Sequence, residues 1–383
     1  MGVSLASRNI LAAIQVGAKT AICESLEVSL SKQQNSDSCH AELPLNAIDG
    51  FGQAIDLAFW DSLTSDSELV AVFDGVPVFW GSPDNVAVDF AAGIISVSGR
   101  DKSKGPIEKK STESFKNKTR AQVVQEIAGR HGLEFVGTGS MDKAGKQQQI
   151  DWNHITDEVS DWSTVQRLAD EDGKVAFVSN GKLFYSDPDD TTTGVLPLFY
   201  VPQTAASAAQ SNFLSCTIHR NLQAGRPHQV NVHSHHTKKN ETYHERANVG
   251  GNGAILTYDY EHAELQKGQG QKIAQKRLRE HVRHELTVDC DIVGNPLVLP
   301  TWQLALTGFG PWSQSYFIDE VHHRARRDFT TSITARNTKK GRGGAGGGGG
   351  GGGGSGDAGG GAASVGGDQF NFSENGAINS GRN

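Results

Sequence analysis

Cysteine is the first scarcity of this chain: four residues in 383, with no C-x-x-C pair among them. Cys23, Cys39, Cys216 and Cys290 stand too far apart for a zinc ribbon or a dithiol redox motif. Two bridges are possible on paper, but a chain this long can build its core without them. The expectation is free thiols made in a reducing cytoplasm. Long apolar runs are missing too, and nothing approaches the ~20 residues of a membrane span. Gln15, Gly17 and Lys19 interrupt the apolar start Ile10–Ile14 before a signal-peptide core is built. Position six is Ala6, not the Ser or Thr that N-myristoylation prefers. No membrane insertion is expected. Basic charge is in deficit, 36 Lys+Arg against 43 Asp+Glu for a net −7, which lacks the basic footprint of a general nucleic-acid binder. Also absent are a G-x-S-x-G nucleophile elbow and an H-E-x-x-H pair. Asp187-Pro188-Asp189-Asp190 lacks calcium-loop spacing and reads as a turn, and Gly99-Arg100-Asp101 lacks phosphate-loop spacing.

Glycine, by contrast, is abundant in one place. Of 46 glycines, 18 fall within Gly341–Gly367, nine of them consecutive at Gly346–Gly354. The remaining 356 residues have an ordinary glycine content, so the body is a normal globular chain with one aberrant extension. Such a tract buries too little surface to offset its chain entropy. As a random coil it spans roughly 26–31 Å root-mean-square. It reads either as a disordered tail or as a tether for Phe370, Phe372 and Ile378.

The first hundred residues alternate as strands do. Leu26, Val28 and Leu30 lie between polar residues, and Cys39, Ala41, Leu43 and Leu45 repeat the pattern with Pro44 as a strand end. Leu69–Phe73 and Val76–Trp80 flank Asp74-Gly75, a hairpin signal. Gly81–Asn85 reads as a turn cluster before Val86–Phe90 and Ile94–Val97. The period then changes. Val123, Val124, Ile127 and Ala128 form a helical stripe ended by Gly132, and Trp162, Val165, Leu168 and Ala169 form one ended by Gly173. Val175–Val178 and Leu183–Tyr185 bracket Asn180-Gly181, a second hairpin. Strands return at Leu214–His219, Gln229–Ser234, Leu297–Leu299, Gln303–Leu306, Ser315–Val321 and Phe329–Ala335, interrupted by a helix at Gln271–Leu286. The fold class is therefore mainly β with α+β insertions. Its expected parts are a β domain at 1–100, a small α+β domain at 101–190, a second β domain with one long helix at 191–340, and a glycine-rich extension at 341–383.

Six of the 14 histidines lie in His219–His244. His233 and His235 would share a strand face and could chelate a metal, which opens a metal-dependent hydrolase as one reading. No third ligand at motif spacing accompanies them, so a solvated polar strand is the default. His322 and His323 are neighbours in a strand and face opposite ways, so they cannot act on one proton. Gly99-Arg100-Asp101 suggests an Arg–Asp bridge at a domain junction. The helix carries Lys272, Lys276, Arg277, Arg279 and Arg283 against Glu280 and Glu285, a net +3. A solvated face or a subunit interface accounts for that charge better than DNA contact does. No catalytic, cofactor-binding or metal-ligating residue is assigned.

Taken in order, several marks resemble the phage tail baseplate hub family that includes late control protein D. They begin with Val70…Phe73-Asp74-Gly75…Phe79-Trp80-Gly81 and Val97-Ser98-Gly99-Arg100-Asp101. Thr119…Val123-Val124…Ile127-Ala128…His131-Gly132-Leu133 follows, then Asp161…Leu168-Ala169…Gly173…Gly181-Lys182-Leu183. Last comes Tyr316-Phe317-Ile318-Asp319-Glu320-Val321-His322-His323 before Phe329-Thr330-Thr331. The resemblance implies two tail-tube-like β-barrel or sandwich domains and a non-enzymatic virion part, assembled in the host cytoplasm. It further implies a homotrimer that joins a six-fold tail tube protein to a three-fold central spike protein, with tape measure and baseplate wedge proteins nearby. DNA would be only passing cargo through its channel, whose lining should be poor in Lys and Arg. Type VI secretion spike proteins share a hub-like region, so a spike-like hub is the alternative.

Overall fold

The computed structural model describes residues 10–337, apart from 33–35, 138–142, 145, 149–150, 156–157, 188–191, 237–240, 250–253, 263–264, 266–267 and 284. Pro188–Asp190 and the glycine-rich extension thus lie outside the described residues. No helix among them is long and apolar enough to cross a membrane. Contacts divide the chain into two compact units. Of the described residues, one holds those up to Arg220 with Leu286–Arg336, and the other holds Asn221–Glu285.

The larger unit is built on a fourteen-stranded hydrogen-bonded ladder. Its N-terminal strands are β1 (Ala12–Val16), β2 (Lys19–Ile22), β3 (Ser25–Ser31), β4 (Ser38–Pro44), β5 (Leu69–Phe73), β6 (Val76–Asp89) and β7 (Ile94–Asp101). They run in the order β2-β1-β5-β6-β7-β4-β3. The alternation of β3 is real: Leu26, Val28 and Leu30 are buried between half-buried neighbours. The Asp74-Gly75 turn has positive φ at both residues, as a two-residue hairpin of matching twist requires. One expectation fails here. Gly81–Asn85 is not a turn, because β6 continues through it and pairs with β7 across a register shift between Pro83 and Asn85. Proline offers no N–H, and a bulge accommodates it while leaving Asp84 without a partner in the ladder.

The mixed region follows. Helix α1 (Arg120–Arg130) starts with a capping box between Thr119 and Gln122, and helix α2 (Asp161–Asp172) ends at Gly173 in the left-handed conformation. A three-stranded sheet orders β8 (Glu134–Gly137), β9 (Val175–Ser179) and β10 (Lys182–Ser186) with β10 in the middle. The helices bury Val123, Val124, Ile127, Val165, Leu168 and Ala169 against Leu183 and Tyr185, a core of its own.

The C-terminal strands of this unit are β11 (Gly194–Val201), β12 (Gln210–Ser211) and β13 (Ser215–Arg220). After the second unit's strands β14 (His228–His236), β15 (Glu241–Val249) and β16 (Leu256–Glu261) come β17 (Leu286–Val293), β18 (Trp302–Thr307), β19 (Ser315–Ala325) and β20 (Phe329–Asn337). Strand β19 pairs with β3, Val321 opposite Leu30 and Ala325 opposite Leu26, so the two ends of the chain share one ladder. One core accordingly holds Leu26, Val28, Ile95 and Val97 together with Val288, Ile318, Val321 and Ile333. The expected strand Leu297–Leu299 is a turn instead. The Asn295 side chain accepts the Leu297 N–H, and Pro296 and Pro300 flank it, while Val298 alone is buried.

The second unit is a β15-β14-β16 sheet covered by helix α3 (Gln269–Val282). Ile273, Ala274 and Leu278 pack on Val230, Val232, Ala247 and Val249. The helix stops four residues short of the expected Leu286, which instead opens β17. Lys276, expected on the solvated face, is buried.

Candidate assembly interface

Where the N-terminal sheet hands over to the mixed region, two glycines let strands approach closely. A methyl group on Gly99 would strike the Ser82 carbonyl oxygen and sit 2.6 Å from Leu69 Cδ2; one on Gly81 would strike the Arg100 carbonyl. Arg100 does not bridge to Asp101 as expected. Its Nε donates to Asp84 Oδ2 (2.6 Å) and its Nη2 to Glu108 Oε1 (2.7 Å), while Lys104 Nζ lies 2.6 Å from Asp84 Oδ1. The bulge that displaces Asp84 from the ladder aims its carboxylate at these cations. The hydrogen bond from Arg100 holds the Asp84 carboxyl below its ordinary range.

Asp101 turns inward instead. Burial pushes its carboxyl up to about 6, although Ser103 donates to it from both Oγ and N. Asp37, whose carbonyl accepts the Asp101 N–H, is raised as well, first by burial and then by the Asp101 charge. Lys32 places its ammonium over Phe317 of β19 (5.4 Å) and Phe177 of β9 (5.6 Å), tying sheet and mixed region together. Within the mixed region, buried Arg120 pairs with Asp172 (2.7 Å) and Glu171 (3.0 Å), and Tyr185 donates its hydroxyl to Asp172 Oδ2 (2.7 Å). Nothing in the local pattern marked Asp37, Arg120 or Asp172. Apart from Ser31, whose N–H donates to Asp37, their partners lie 13 to 64 residues away.

At the β3–β19 seam the adjacent histidines separate as expected. His322 Nδ1 meets Ser29 Oγ (2.7 Å) on the outer face. His323 is fully buried: its Nε2 donates to the Val298 carbonyl (3.1 Å), and its Nδ1 meets Thr331 Oγ1 (3.0 Å). Asn295 N donates to that same hydroxyl (3.0 Å), so Thr331 donates onward to Nδ1 and the neutral ring is satisfied at both nitrogens. Burial lowers this imidazole to about 4.

In the second unit His233 and His235 do share a face. His233 Nδ1 faces His244 Nδ1 across the ladder (2.6 Å) and its Nε2 lies 3.3 Å from Asp259, whereas His235 turns to Thr242. Among the described residues no three His, Cys, Asp or Glu side chains converge as metal ligands would. The helix charge is partly spent internally, as Arg277 pairs with Glu280 (3.0 Å) and stacks over Tyr260.

The surface features suited to assembly are the ladder's ends. At the β2 end, Ile22, Ile48 and Phe51 are exposed, Phe51 at 91%, around an Ala21–Asp49 bridge. At the other end, Phe199, Tyr200 and Val201 of β11 are exposed beside Leu214 and Trp312, and Tyr200 stacks with Phe213 and Phe309. The Asn212 side chain occupies part of that edge, accepting Phe199 N–H and donating to the Pro197 carbonyl. Clustered exposed apolar side chains at the end of a ladder mark contact surfaces. Sequence alternation alone did not single these residues out, because an exposed apolar residue looks like a core residue until the edge is known.

The profile of the phage tail baseplate hub (GPD) family matches residues 108–329. No protein of curated function matches the sequence. Among solved structures, a tail protein from Neisseria meningitidis MC58 superposes with a TM-score of 0.64 at 14% identity, over 86% of this chain and 97% of its own. The 43 kDa tail protein of prophage MuSo2 from Shewanella oneidensis gives 0.62 at 12%, over 85% and 98%. An Escherichia coli component of the type VI secretion system gives 0.53 at 10%, over 85% and 77%. At these identities the structures share the fold, mainly β with α+β insertions.

Proposed function

This chain belongs to the phage tail baseplate hub family and is a structural component of the virion, and we propose that it acts there as a homotrimeric adapter. Three copies would close a ring by joining the β2 end of one subunit to the β11–β12 end of the next. The observation that carries this reading is the pair of exposed apolar ladder ends, Ile22, Ile48 and Phe51 at one and Phe199, Tyr200 and Val201 at the other. Two different surfaces that meet head to tail form a heterologous contact, and such contacts close only in rings of fixed number. Two strand-rich halves per chain, N-terminal and C-terminal, would present six related faces from three subunits. That count suits a six-fold tail tube protein on one side, and the three-fold subunit order suits a central spike protein on the other. The ring would surround the path of the DNA, with a lining poor in Lys and Arg so that phosphates do not stick.

Mass photometry or light scattering tests the ring. The wild-type chain should give about 123 kDa, three times the 40.9 kDa subunit. The double substitution Phe51→Ser and Ile22→Ser should leave a folded monomer. A trimer that survives this pair and also Tyr200→Ser with Val201→Ser would place the subunit contacts elsewhere.

A further inference from the structure

Cys216 and Cys290 face one another in the β13–β17 ladder as direct register partners, with their sulfurs 2.7 Å apart. That separation is within an ångström of the ~2.03–2.05 Å S–S bond, and opposed antiparallel residues have Cα spacings of about 4.5–5.5 Å, inside the range that disulfides span. Both thiols are free. Cys290 sits in the sheet core, while Cys216 is half-buried on a strand whose one ladder neighbour among the described residues is β17.

We propose that Cys216 and Cys290 form an oxidation site, at which a low-molecular-weight disulfide such as glutathione disulfide converts the thiol pair into a cross-strand bridge. The Cys216 thiolate attacks one sulfur of the disulfide, forming a mixed disulfide and expelling one thiolate. Cys290 then loses its proton and attacks Cys216 Sγ, expelling the second thiolate. Two protein thiols are oxidised, one disulfide is reduced to two thiols, and the protons released at the cysteines end on the leaving thiolates. Geometry assigns the order, because only Cys216 is reachable from solvent. The Cys290 thiol donates to Cys216 and lowers its pKa, which favours Cys216 as the attacking group.

The position of the bridge gives it a consequence. The chain leaves the large unit at Arg220 and returns at Leu286, and Asn221 N donates to the Glu285 carbonyl at the neck (2.7 Å). A Cys216–Cys290 bond staples the two strands that carry the whole 221–285 unit and holds the edge strand β13 in its register. The chemistry is independent of the hub reading. Only its timing rests on it, since a virion assembled reduced meets oxidant after release.

The test takes the full-length chain, purified with reductant and then equilibrated with glutathione disulfide at several ratios to glutathione. Two of the four thiols should disappear, and non-reducing peptide mapping should show a Cys216–Cys290 link that reductant reverses. The melting temperature should rise by roughly 5 °C, because the closed loop is long. Cys216→Ser, at a half-exposed position that folding tolerates, should abolish both the link and the rise. Four thiols that stay free at high disulfide ratio, a persistent glutathione adduct on Cys216 without the link, or a Cys23–Cys39 link in its place would each overturn the proposal. The mass reading of the trimer separates any failure here from failure of the ring.

Discussion

Replacing His323 with Gln is expected to remove one limb of the dependence of stability on pH. The wild-type ring is fully buried, with Nε2–H bound to the Val298 carbonyl and Nδ1 accepting from Thr331. A second proton would have to enter at Nδ1, where the Thr331 hydroxyl already donates to it and the Phe73 and Phe329 rings pack against the imidazole. Burial therefore lowers the imidazole from 6.5 to about 4. A depressed basic group binds fewer protons folded than unfolded, so its contribution is present above pH 6.5 and drains away as pH falls toward 4. At 1.36 kcal/mol per pH unit this approaches about 3 kcal/mol. Asp101 works in the same window with the opposite sign. Raised from 3.8 to about 6, it contributes stability below pH 4 that is lost as pH rises through 6. The His323 slope opposes those of Asp101 and of Asp37, whose carboxyl is raised as well, so the wild-type profile masks it. Urea denaturation of His323→Gln at pH 4 to 7, set against wild type, should expose a difference in slope near 1 kcal/mol per pH unit in that interval. Parallel curves, or an imidazole resonance of His323 that titrates near 6.5, would refute the reasoning whatever the absolute stabilities.

The companion substitution Asp101→Asn keeps the Ser103 hydrogen bonds and stays neutral. It should gain up to about 3 kcal/mol over wild type above pH 6 and nothing near pH 4, read from the same denaturation series. Gly99→Ala should destabilise by about 1–3 kcal/mol, because the new methyl meets backbone and Leu69 where the strands cannot part. Thermal melting measures it, with Gly129→Ala, in open space and without a positive φ, as a control that should not destabilise. Arg120→Met should cost about 3–5 kcal/mol by leaving the Asp172 carboxylate buried without its cation, with the Tyr185 hydroxyl still donating to it. Adding Asp172→Asn should restore part of the loss.

Much of this fold was legible locally. The Asp74-Gly75 and Asn180-Gly181 hairpins and the helix ends at Gly132 and Gly173 each rest on contacts within a few residues, so propensity and period suffice to place them. Where the reading failed, a distant partner had overruled the local signal. Pro83 looks like a turn residue, yet β7 carries the strand through it with a bulge. Leu297–Leu299 looks like a strand, yet His323 and Asn295 hold it as a turn. Arg100 stands next to Asp101 in sequence, but strand neighbours point to opposite faces, so the cation reached Asp84 and the acid was buried.

The family marks could be read because each lies in one element or in neighbouring ones, and their order along the chain is itself sequence. What the amino-acid order determined by itself is therefore the element succession, the mainly β class and the absence of motif chemistry. Only the tertiary structure decided that the first and last strands share one ladder, that its β2 and β11–β12 ends carry exposed apolar side chains, and that Cys216 faces Cys290. Those facts depend on pairings between residues tens to hundreds of positions apart, and nothing in a short window encodes which edge meets which.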